Sequence, residues 1–368
     1  MISRHIFVVN YILTIVWGIV FLYSSGPDIS QKTKLWNRKR FIVIVCLQWV
    51  LISSLRADIV GADTINYVKL FDKHAQWSWN SIFRSLRTNY LKSIAAGSDE
   101  YEPGYIFLEK LISTISTNHA FYKFVIAAIW MGFLGRYLYR NSEDPCVSFI
   151  IYSGLFYNLF SLTGHRQTVS AAIGVLYAFE FIKERKLVPF VVCVMISAFF
   201  HRSTLVLLPF YFLARKRITI SYILFIAGIV GIMIIFRDRI FDYVKRASGY
   251  SQYSGTYGFA QRTFIFILLL LTIVLLYARN RILNCHKDSL IYFNGLVLAW
   301  AMVPFAMVSP TSMRLVYDFG LVIMLIVPAY LNSIEDHATR RIIRFVIIAV
   351  FAYFVIMRTP EYYFFWQA

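Results

Sequence analysis

Three arginines stand at the ends of apolar runs, each within a short polar connection. The connections are Gly164-His165-Arg166-Gln167, Phe200-His201-Arg202-Ser203 and Ser312-Met313-Arg314. A guanidinium group is a planar fork of hydrogen-bond donors, and it holds phosphate through paired bonds. Three such groups around one cavity predict a site for a pyrophosphate-linked substrate at the water boundary. The alternative for each arginine taken alone is that its side chain only reaches for lipid headgroups.

One carboxylate lies close in sequence to the third of these arginines. Arg314 and Asp318 are one helical turn apart, so their side chains can pair. Such a pair either orients the guanidinium toward a substrate or merely neutralises it.

Four titratable residues at predicted helix ends are further candidates for acid or base chemistry. Asp63 and Glu102 each precede a predicted helix, while His165 and His201 stand beside arginines. A general base takes the proton from an attacking hydroxyl group. The structural alternatives are that Asp63 and Glu102 cap their helices and that His201 bonds a backbone carbonyl. The pattern does not choose among the four.

Glu102 opens a segment with amphipathic character. Pro103 suits the first turn of a helix, and the spacing predicts that helix over Gly104 to Ser116. Its apolar residues predict a face lying on the membrane, namely Ile106, Leu108, Leu111, Ile112 and Ile115. Nearby aromatic residues predict an interfacial belt, although such rings also stack on sugars; they are Trp77, Trp79, Tyr90, Tyr101 and Tyr105.

The elements that must position these residues are membrane helices. The chain has 368 residues, of which 59% are apolar and 15% charged, and its mean hydropathy is +0.61. That composition leaves too little polar surface for a water-soluble globule, so lipid must be the main solvent. A helix needs about 20 apolar residues to span the hydrocarbon layer.

Twelve apolar runs of roughly this kind lie between Ile6 and Met357. The two runs beside His201 are short, and they predict a broken helix or a hairpin that dips into the bilayer. We therefore expect ten to twelve spans in one all-α, polytopic membrane domain over residues 1–368, with no soluble catalytic domain. The first run lacks a cleavage site, so we expect it to be a retained span.

Lysine and arginine predict the orientation of these spans, because cytoplasmic loops are enriched in both. Alternate connections carry clusters of basic residues, at Lys32, Lys34, Arg38, Lys39 and Arg40; Arg136 and Arg140; Lys183, Arg185 and Lys186; Arg215, Lys216 and Arg217; Arg279, Arg281 and Lys287; and Arg340, Arg341 and Arg344. The candidate site residues then face away from the cytoplasm, together with two longer outer segments at 56–118 and 237–262. The net charge of +18 is thus partly a topology signal, and no nucleic-acid partner is expected.

The sequence predicts no cofactor. Four cysteines lie inside predicted spans or at cytoplasmic edges, so no disulfide is expected. The seven histidines are scattered without metal-ligand spacing. The glycine-rich stretch from Ser248 to Gly258 lacks the lysine and the strand–helix setting of a phosphate-binding loop.

Several short motifs resemble one known family, the EpsG-like branch of the Wzy polysaccharide polymerases. The first is the string Gly61-Ala62-Asp63-Thr64-Ile65-Asn66-Tyr67 followed by Phe71. Three others are similar to the family's Glu-x-Gly-aromatic, Arg-Gln and Phe-His-x-Ser elements, and they are Glu102-Pro103-Gly104-Tyr105, Arg166-Gln167 and Ala198-Phe199-Phe200-His201-Arg202-Ser203. Arg314 fills a late arginine position. The resemblance runs from about Arg56 to Tyr317, and the order and spacing of the elements carry it. Ala62 departs from it, since many relatives carry a threonine or similar polar residue there.

The resemblance implies a glycosyltransferase of the GT-C-like membrane kind. Such a polymerase moves a growing glycan from undecaprenyl diphosphate onto the sugar of an incoming lipid-linked unit, at the periplasmic face of a bacterial inner membrane. It implies diphosphate binding by Arg166, Arg202 and Arg314, with weaker roles for Arg56 and Arg262, and supporting roles for Gln167, Tyr67, Tyr105 and Asp318. The base would be His165, His201, Asp63 or Glu102.

The resemblance also implies the expected partners and product. The arginines would replace a metal ion, so activity should be metal-independent. The expected partners are the lipid-linked oligosaccharide, membrane lipid and a chain-length regulator protein. An O-antigen of lipopolysaccharide is the expected product, ahead of a capsule or exopolysaccharide.

Two other functions compete with this one. An O-antigen ligase uses the same lipid diphosphate donor, but its signature is a larger outer loop late in the chain, and the connection from Val308 to Arg314 is short. A flippase or exporter of the lipid-linked unit needs polar residues through the bilayer midplane and often two similar halves. The sequence shows neither feature.

Overall fold

The structure is a computed structural model that describes residues 5–24, 29–85, 102–248, 259–286, 288–308 and 310–367. Helices account for most of these residues, and no β-strand occurs within the ranges just given. One isolated antiparallel bridge joins Arg56 to Phe364. The predicted all-α class is confirmed.

The α-helices follow one another with short breaks, and we number them in chain order. The first nine are α1 His5–Gly18, α2 Gln31–Ser54, α3 Thr64–Gln76, α4 Pro103–Ile115, α5 His119–Asn141, α6 Pro145–Ile151, α7 His165–Ala171, α8 Phe179–Lys183 and α9 Leu187–Phe200. The next nine are α10 Leu208–Leu213, α11 Ile220–Ile235, α12 Arg237–Ser248, α13 Phe259–Tyr277, α14 Arg279–Cys285, α15 Ser289–Val308, α16 Met313–Gly320, α17 Ile323–Asn332 and α18 His337–Arg358.

Several helices are long and apolar enough to cross a membrane. Within the described ranges four pass on length and hydropathy, and a fifth is added if one bent pair counts as a single span. The four are His5–Tyr23, His119–Asn141, Ser289–Val308 and Met313–Asn332, and the bent pair is Arg262–Tyr277 with Arg279–Cys285. Shorter apolar helices include Leu187–Phe200 and Arg202–Leu213, on either side of His201. The chain is therefore a multi-pass membrane protein, and the count of ten to twelve spans stays a prediction.

The chain divides into two compact units, each assembled from segments far apart in sequence. The first contains Met1–Ala75, Leu111–Ala172 and Met324–Ala368, and the second contains Gln76–Lys110 and Ile173–Ile323. We describe each unit by itself.

The first unit is held together by aromatic rings and by close helix contacts. Trp130 Nε1 donates to the Tyr152 hydroxyl at 2.9 Å, and the Trp130 and Phe160 rings stack with centroids 4.4 Å apart. A Cβ atom at Gly154 would lie 2.5 Å from the Phe351 ring. Small residues of this kind let membrane helices approach closely, and packing and hydrogen bonds drive their association because lipid is as apolar as the helices.

The second unit uses the same principles around α15. Asn294 donates to the carbonyls of Ala214 at 3.0 Å and Lys216 at 2.9 Å, which satisfies carbonyls beyond the end of α10. A Cβ atom at Gly295 would lie 2.7 Å from Val322. These contacts hold α15 against the segment that follows α10 and against Val322, which lies just after α16, the helix of Arg314 and Asp318.

Two predicted segments contain helices in the structure. The helix expected over Gly104 to Ser116 is α4; its Ile112 is buried, while Leu111 and Ile115 are exposed. The expected outer segment 237–262 contains α12 and the start of α13. The predicted aromatic positions Tyr90 and Tyr101 lie outside the described residues.

Candidate active site

Five of the candidate site residues lie in two polar clusters, one in each unit. The first, which we call the Arg56 cluster, contains Arg56, Asp58, His119, Lys123 and His165. The second, which we call the His201 cluster, contains Glu102, His201 and Arg202. Of the other predicted anion ligands, Arg166 belongs to the first unit, and Arg262 and Arg314 belong to the second.

The guanidinium of Arg56 is committed to backbone oxygens and to a histidine. Only 1% of the residue is exposed, and its nitrogens donate to the carbonyls of Val60 at 3.2 Å and Leu162 at 3.0 Å, as well as to that of Ser53. Arg56 Nη2 also lies 2.8 Å from His165 Nε2. This arrangement favours a structural role for Arg56, and its predicted role as a diphosphate ligand stays a prediction.

The same contact fixes the proton positions of His165. Because a guanidinium only donates, Nε2 of His165 must be the acceptor, so Nδ1 carries the proton. Nδ1 lies 3.3 Å from the Tyr122 hydroxyl. The lone pair that a base would use is thus already bonded, and the geometry disfavours His165 as the base.

The motif that begins at Gly61, before α3, packs against the connection that carries His165. Gly61 has φ +101°, and a Cβ atom there would lie 2.2 Å from the carbonyl oxygen of Leu162. Thr64 Oγ1 lies 2.9 Å from the same oxygen. Only glycine suits both the backbone conformation and the close approach. The motif therefore positions the connection that carries His165 and Arg166.

Tyr67 completes this packing one turn further along α3. Its ring stacks on His165 with centroids 4.6 Å apart, and the guanidinium carbon of Arg166 lies 5.8 Å from the same ring. Arg166 is half-buried and Gln167 is fully buried. An aromatic ring beneath a guanidinium holds it by a cation–π contact and restricts its direction.

The Arg56 cluster also contains ionic contacts that the sequence analysis missed. Lys123 is 1% exposed in α5; its ammonium group donates to Asp58 Oδ1 at 2.7 Å and to the Arg56 carbonyl. His119 lies 2.7 Å from Asp58 and 2.9 Å from Asp72. Burial alone would raise the pKa of Asp58, but the bonds from Lys123 and His119 outweigh it and hold that pKa below its usual range. A lysine inside an apolar run was the signal available, because such a charge needs a partner.

The His201 cluster begins where α9 ends. Phe200 is the last residue of α9, His201 is extended at φ −159° and ψ 112°, and a 3-10 helix follows over Arg202–Leu207. This confirms the predicted break beside His201. The carbonyl of His201 accepts a bond from Thr204 Oγ1, which satisfies one of the polar backbone groups released by the break.

Glu102, which lies 99 residues earlier in the chain, contacts the two residues at this break. Its Oε1 lies 3.0 Å from His201 Nδ1 and accepts a bond from the Arg202 backbone N–H at 3.1 Å. Glu102, His201 and Arg202 are 1%, 6% and 8% exposed. Glu102 therefore does more than open α4, although its carbonyl also accepts from Tyr105 and Ile106.

Gly104 allows the start of α4, with Glu102, to lie close to the end of α9. A Cβ atom at Gly104 would lie 3.0 Å from the carbonyl carbon and oxygen of Phe199. The start of α4 thus lies against the end of α9 with room for a hydrogen at this position and little more. The Glu-Pro-Gly-Tyr and Phe-His-Arg-Ser motifs therefore contact each other. Tyr105, the next residue in the chain, is buried, with 2% of its surface exposed.

The pair of Glu102 and His201 has the properties of an oriented base. A neutral imidazole that donates from Nδ1 to a carboxylate carries its lone pair on Nε2. The carboxylate fixes the tautomer and stabilises the imidazolium that forms on proton uptake. Of the four predicted bases, His201 has the geometry closest to this role.

The remaining predicted residues are spread over the two units. Asp63 is half-buried before α3, Arg314 is half-buried in the first turn of α16, and Asp318 is buried one turn later. Arg262 is exposed in α13. The predicted pairing of Arg314 with Asp318 stays a prediction. In the part of the chain that the structure describes, no three His, Cys, Asp or Glu residues are grouped to hold a metal ion.

Comparison with known proteins gives a family. A family model described as the EpsG family matches residues 39–366. The chain belongs to the EpsG family. The match covers both clusters and confirms the resemblance drawn from the motifs, so this EpsG-family protein has a role in membrane polysaccharide biosynthesis. No curated protein and no solved structure matches the chain.

Proposed function

We propose that this protein polymerises lipid-linked oligosaccharide repeat units. The growing glycan leaves its undecaprenyl diphosphate carrier and is joined to a sugar hydroxyl of an incoming unit on the same kind of carrier. The family match over residues 39–366 supports a polymerase-like role in polysaccharide biosynthesis. The observation that carries the reaction type is the His201 cluster, in which a candidate base and a candidate phosphate ligand are neighbours in sequence and share one buried carboxylate.

His201 acts as the base in this mechanism. Its Nε2 takes the proton of the acceptor hydroxyl while the hydroxyl oxygen forms a bond to the anomeric carbon of the growing chain. The bond between that carbon and the diphosphate oxygen breaks, and its electron pair leaves with the diphosphate. Glu102 stabilises the imidazolium through the bond to Nδ1.

The departing diphosphate needs positive charge. We assign this role to Arg202, whose backbone is anchored by Glu102, and to Arg314 of the same unit; for Arg166, which belongs to the other unit, the predicted role in diphosphate binding stays a prediction. Guanidinium groups stabilise phosphate charge as it develops and need no metal ion for that purpose. The proposal places the reaction at the periplasmic face of a bacterial inner membrane, with a chain-length regulator as an expected partner.

The test in cells is a deletion of the gene followed by analysis of surface glycolipids. The proposal predicts surface lipid that carries a single repeat unit and no ladder of longer chains. Loss of even the single unit would instead indicate export of the lipid-linked unit. Full-length glycan that accumulates on its carrier without reaching lipid A core would indicate a ligase. Restoration of the ladder by a plasmid copy is the control.

A further inference from the structure

A cavity at the start of α2 combines positive charge with exposed apolar side chains. Its volume is about 480 Å³, within the usual range for small-ligand sites. The walls consist of six residues of the first unit, Lys32, Thr33, Leu35, Trp36, Lys39 and Tyr139. None of the six is acidic, and the stretch from Lys32 to Arg40 contains five basic residues and no acidic one.

Helical spacing places the α2 residues on one side. Lys32, Leu35 or Trp36, and Lys39 are separated by three or four residues, so they form a continuous stripe. Leu35 is 49% exposed and Trp36 is 52% exposed. The Lys39 ammonium lies 5.9 Å from the Trp36 ring centroid. Charge and apolar surface therefore alternate along a single exposed stripe.

The position of this stripe relative to the membrane follows from the residue pattern of α2. The helix runs from Gln31 to Ser54, and its apolar part begins at Phe41, directly after Arg40. Charged side chains are costly inside the hydrocarbon layer, so we expect the residues before Phe41 to lie at its edge and beyond. The stripe from Lys32 to Lys39 then lies at the level of the lipid headgroups, which the long lysine side chains can reach.

The end of α5, which contributes Tyr139 to the cavity, is hydrogen-bonded to α2. Arg38 donates to the carbonyls of Leu138 at 3.0 Å and Tyr139 at 3.0 Å, and also to that of Ser142. The end of α5 is therefore bound to α2, and the cavity is formed before any ligand arrives. The acidic residues that follow α5 already interact with basic groups of the protein. Glu143 and Asp144 interact electrostatically with Arg38, and Asp144 also forms an ion pair with Arg344 at 3.1 Å.

We propose that this cavity binds the headgroup of an anionic phospholipid of the surrounding leaflet. Lys32 and Lys39 contact the phosphate, and Leu35, Trp36 and Tyr139 contact the glycerol and the first acyl carbons. A basic stripe with an interfacial tryptophan at phosphate depth suits a lipid with net negative charge. The cavity shares no residue with either candidate active-site cluster, and the proposal does not depend on the proposed reaction.

The experiment measures the melting temperature of the purified full-length protein in zwitterionic nanodiscs with and without phosphatidylglycerol. We expect phosphatidylglycerol to raise the melting temperature by about 2–4 °C in the wild type. Lys32→Gln and Lys39→Gln should each lose at least half of that shift. Lys34→Gln is the matched control, because it removes one charge from the same exposed turn of α2 without lining the cavity, and it should keep the shift.

Native mass spectrometry of the same four proteins provides a second measurement that does not depend on melting. Wild type and Lys34→Gln should retain one phosphatidylglycerol more often than Lys32→Gln and Lys39→Gln. Equal shifts in all four proteins would show a general charge effect and overturn the proposal. The same shift with inorganic phosphate alone, or a lipid-free dimer formed through this face, would also overturn it.

Discussion

The hydrogen bond between Glu102 and His201 allows the proposed base to be tested without removing its structural contact. In His201→Asn the side-chain amide still donates to Glu102 from roughly the position of Nδ1, but no basic nitrogen remains. We expect the polymerisation rate per amount of protein to fall about 10²- to 10⁴-fold, with abundance and melting temperature near those of wild type. His337→Asn, at an exposed position, is the control. Retention of most activity by His201→Asn would show that His201 has only a structural role.

The arginines require a different substitution, because charge and geometry must be separated. Lysine keeps the charge of Arg166, Arg202 or Arg314 but lacks the planar fork. If paired bonds to a diphosphate matter, each lysine variant should polymerise at least about tenfold more slowly than wild type. If the side chains only reach lipid headgroups, lysine should serve nearly as well. The measurement is ladder formation normalised to protein abundance.

At the scale of residues, the types and positions of Glu102 and His201 marked both as candidates. Their contact was not predictable, because 99 residues separate them in the chain. The family resemblance implied that Arg56 is a weak phosphate ligand, whereas the structure surrounds that guanidinium with carbonyls of Ser53, Val60 and Leu162. Such bonds depend on how distant segments pack, and residue type does not reveal them.

At the scale of elements, the breaks in helices were easier to predict than their contacts. The short apolar runs on either side of His201 predicted the end of α9 and the irregular turn after it. The motif around Gly61 was recognisable in the sequence, but its structural role was not. In the structure, Gly61 and Thr64 both lie against the carbonyl of Leu162, so the motif positions the connection that carries His165.

Glycine substitution tests this element-level role. Gly61→Ala meets a positive φ and a carbonyl oxygen 2.2 Å from the new Cβ, so we expect a loss of at least about 2 kcal/mol of stability and loss of polymerisation. Gly228→Ala is the control, because it lies within α11 with nothing within 4 Å of the new Cβ. Alanine is the better helix former, so that variant should be neutral or slightly stabilised. Equal melting temperatures for the two variants would contradict the account.

The whole molecule consists of two discontinuous units, and no pattern in the sequence predicts that division. Its membrane character was predictable, because composition alone excludes a soluble globule. Its orientation stays a prediction that rests on the basic connections. We expect reporters fused after Arg40, Lys186, Lys216 and Lys287 to register as cytoplasmic, and those after Ser98 and Gly249 as periplasmic. A cytoplasmic signal at Ser98 would contradict the outward-facing site.

The proposed activity belongs to the whole chain, and its most direct test uses the purified protein alone. Full-length protein in liposomes is supplied with undecaprenyl-diphosphate-linked repeat units, with a chelator present because the proposed mechanism needs no divalent ion. The account predicts a ladder of lengthening glycans and release of undecaprenyl diphosphate in equal amount to the new linkages. Unchanged repeat units that only cross the bilayer, or turnover that stops with chelator and returns with magnesium, would contradict it.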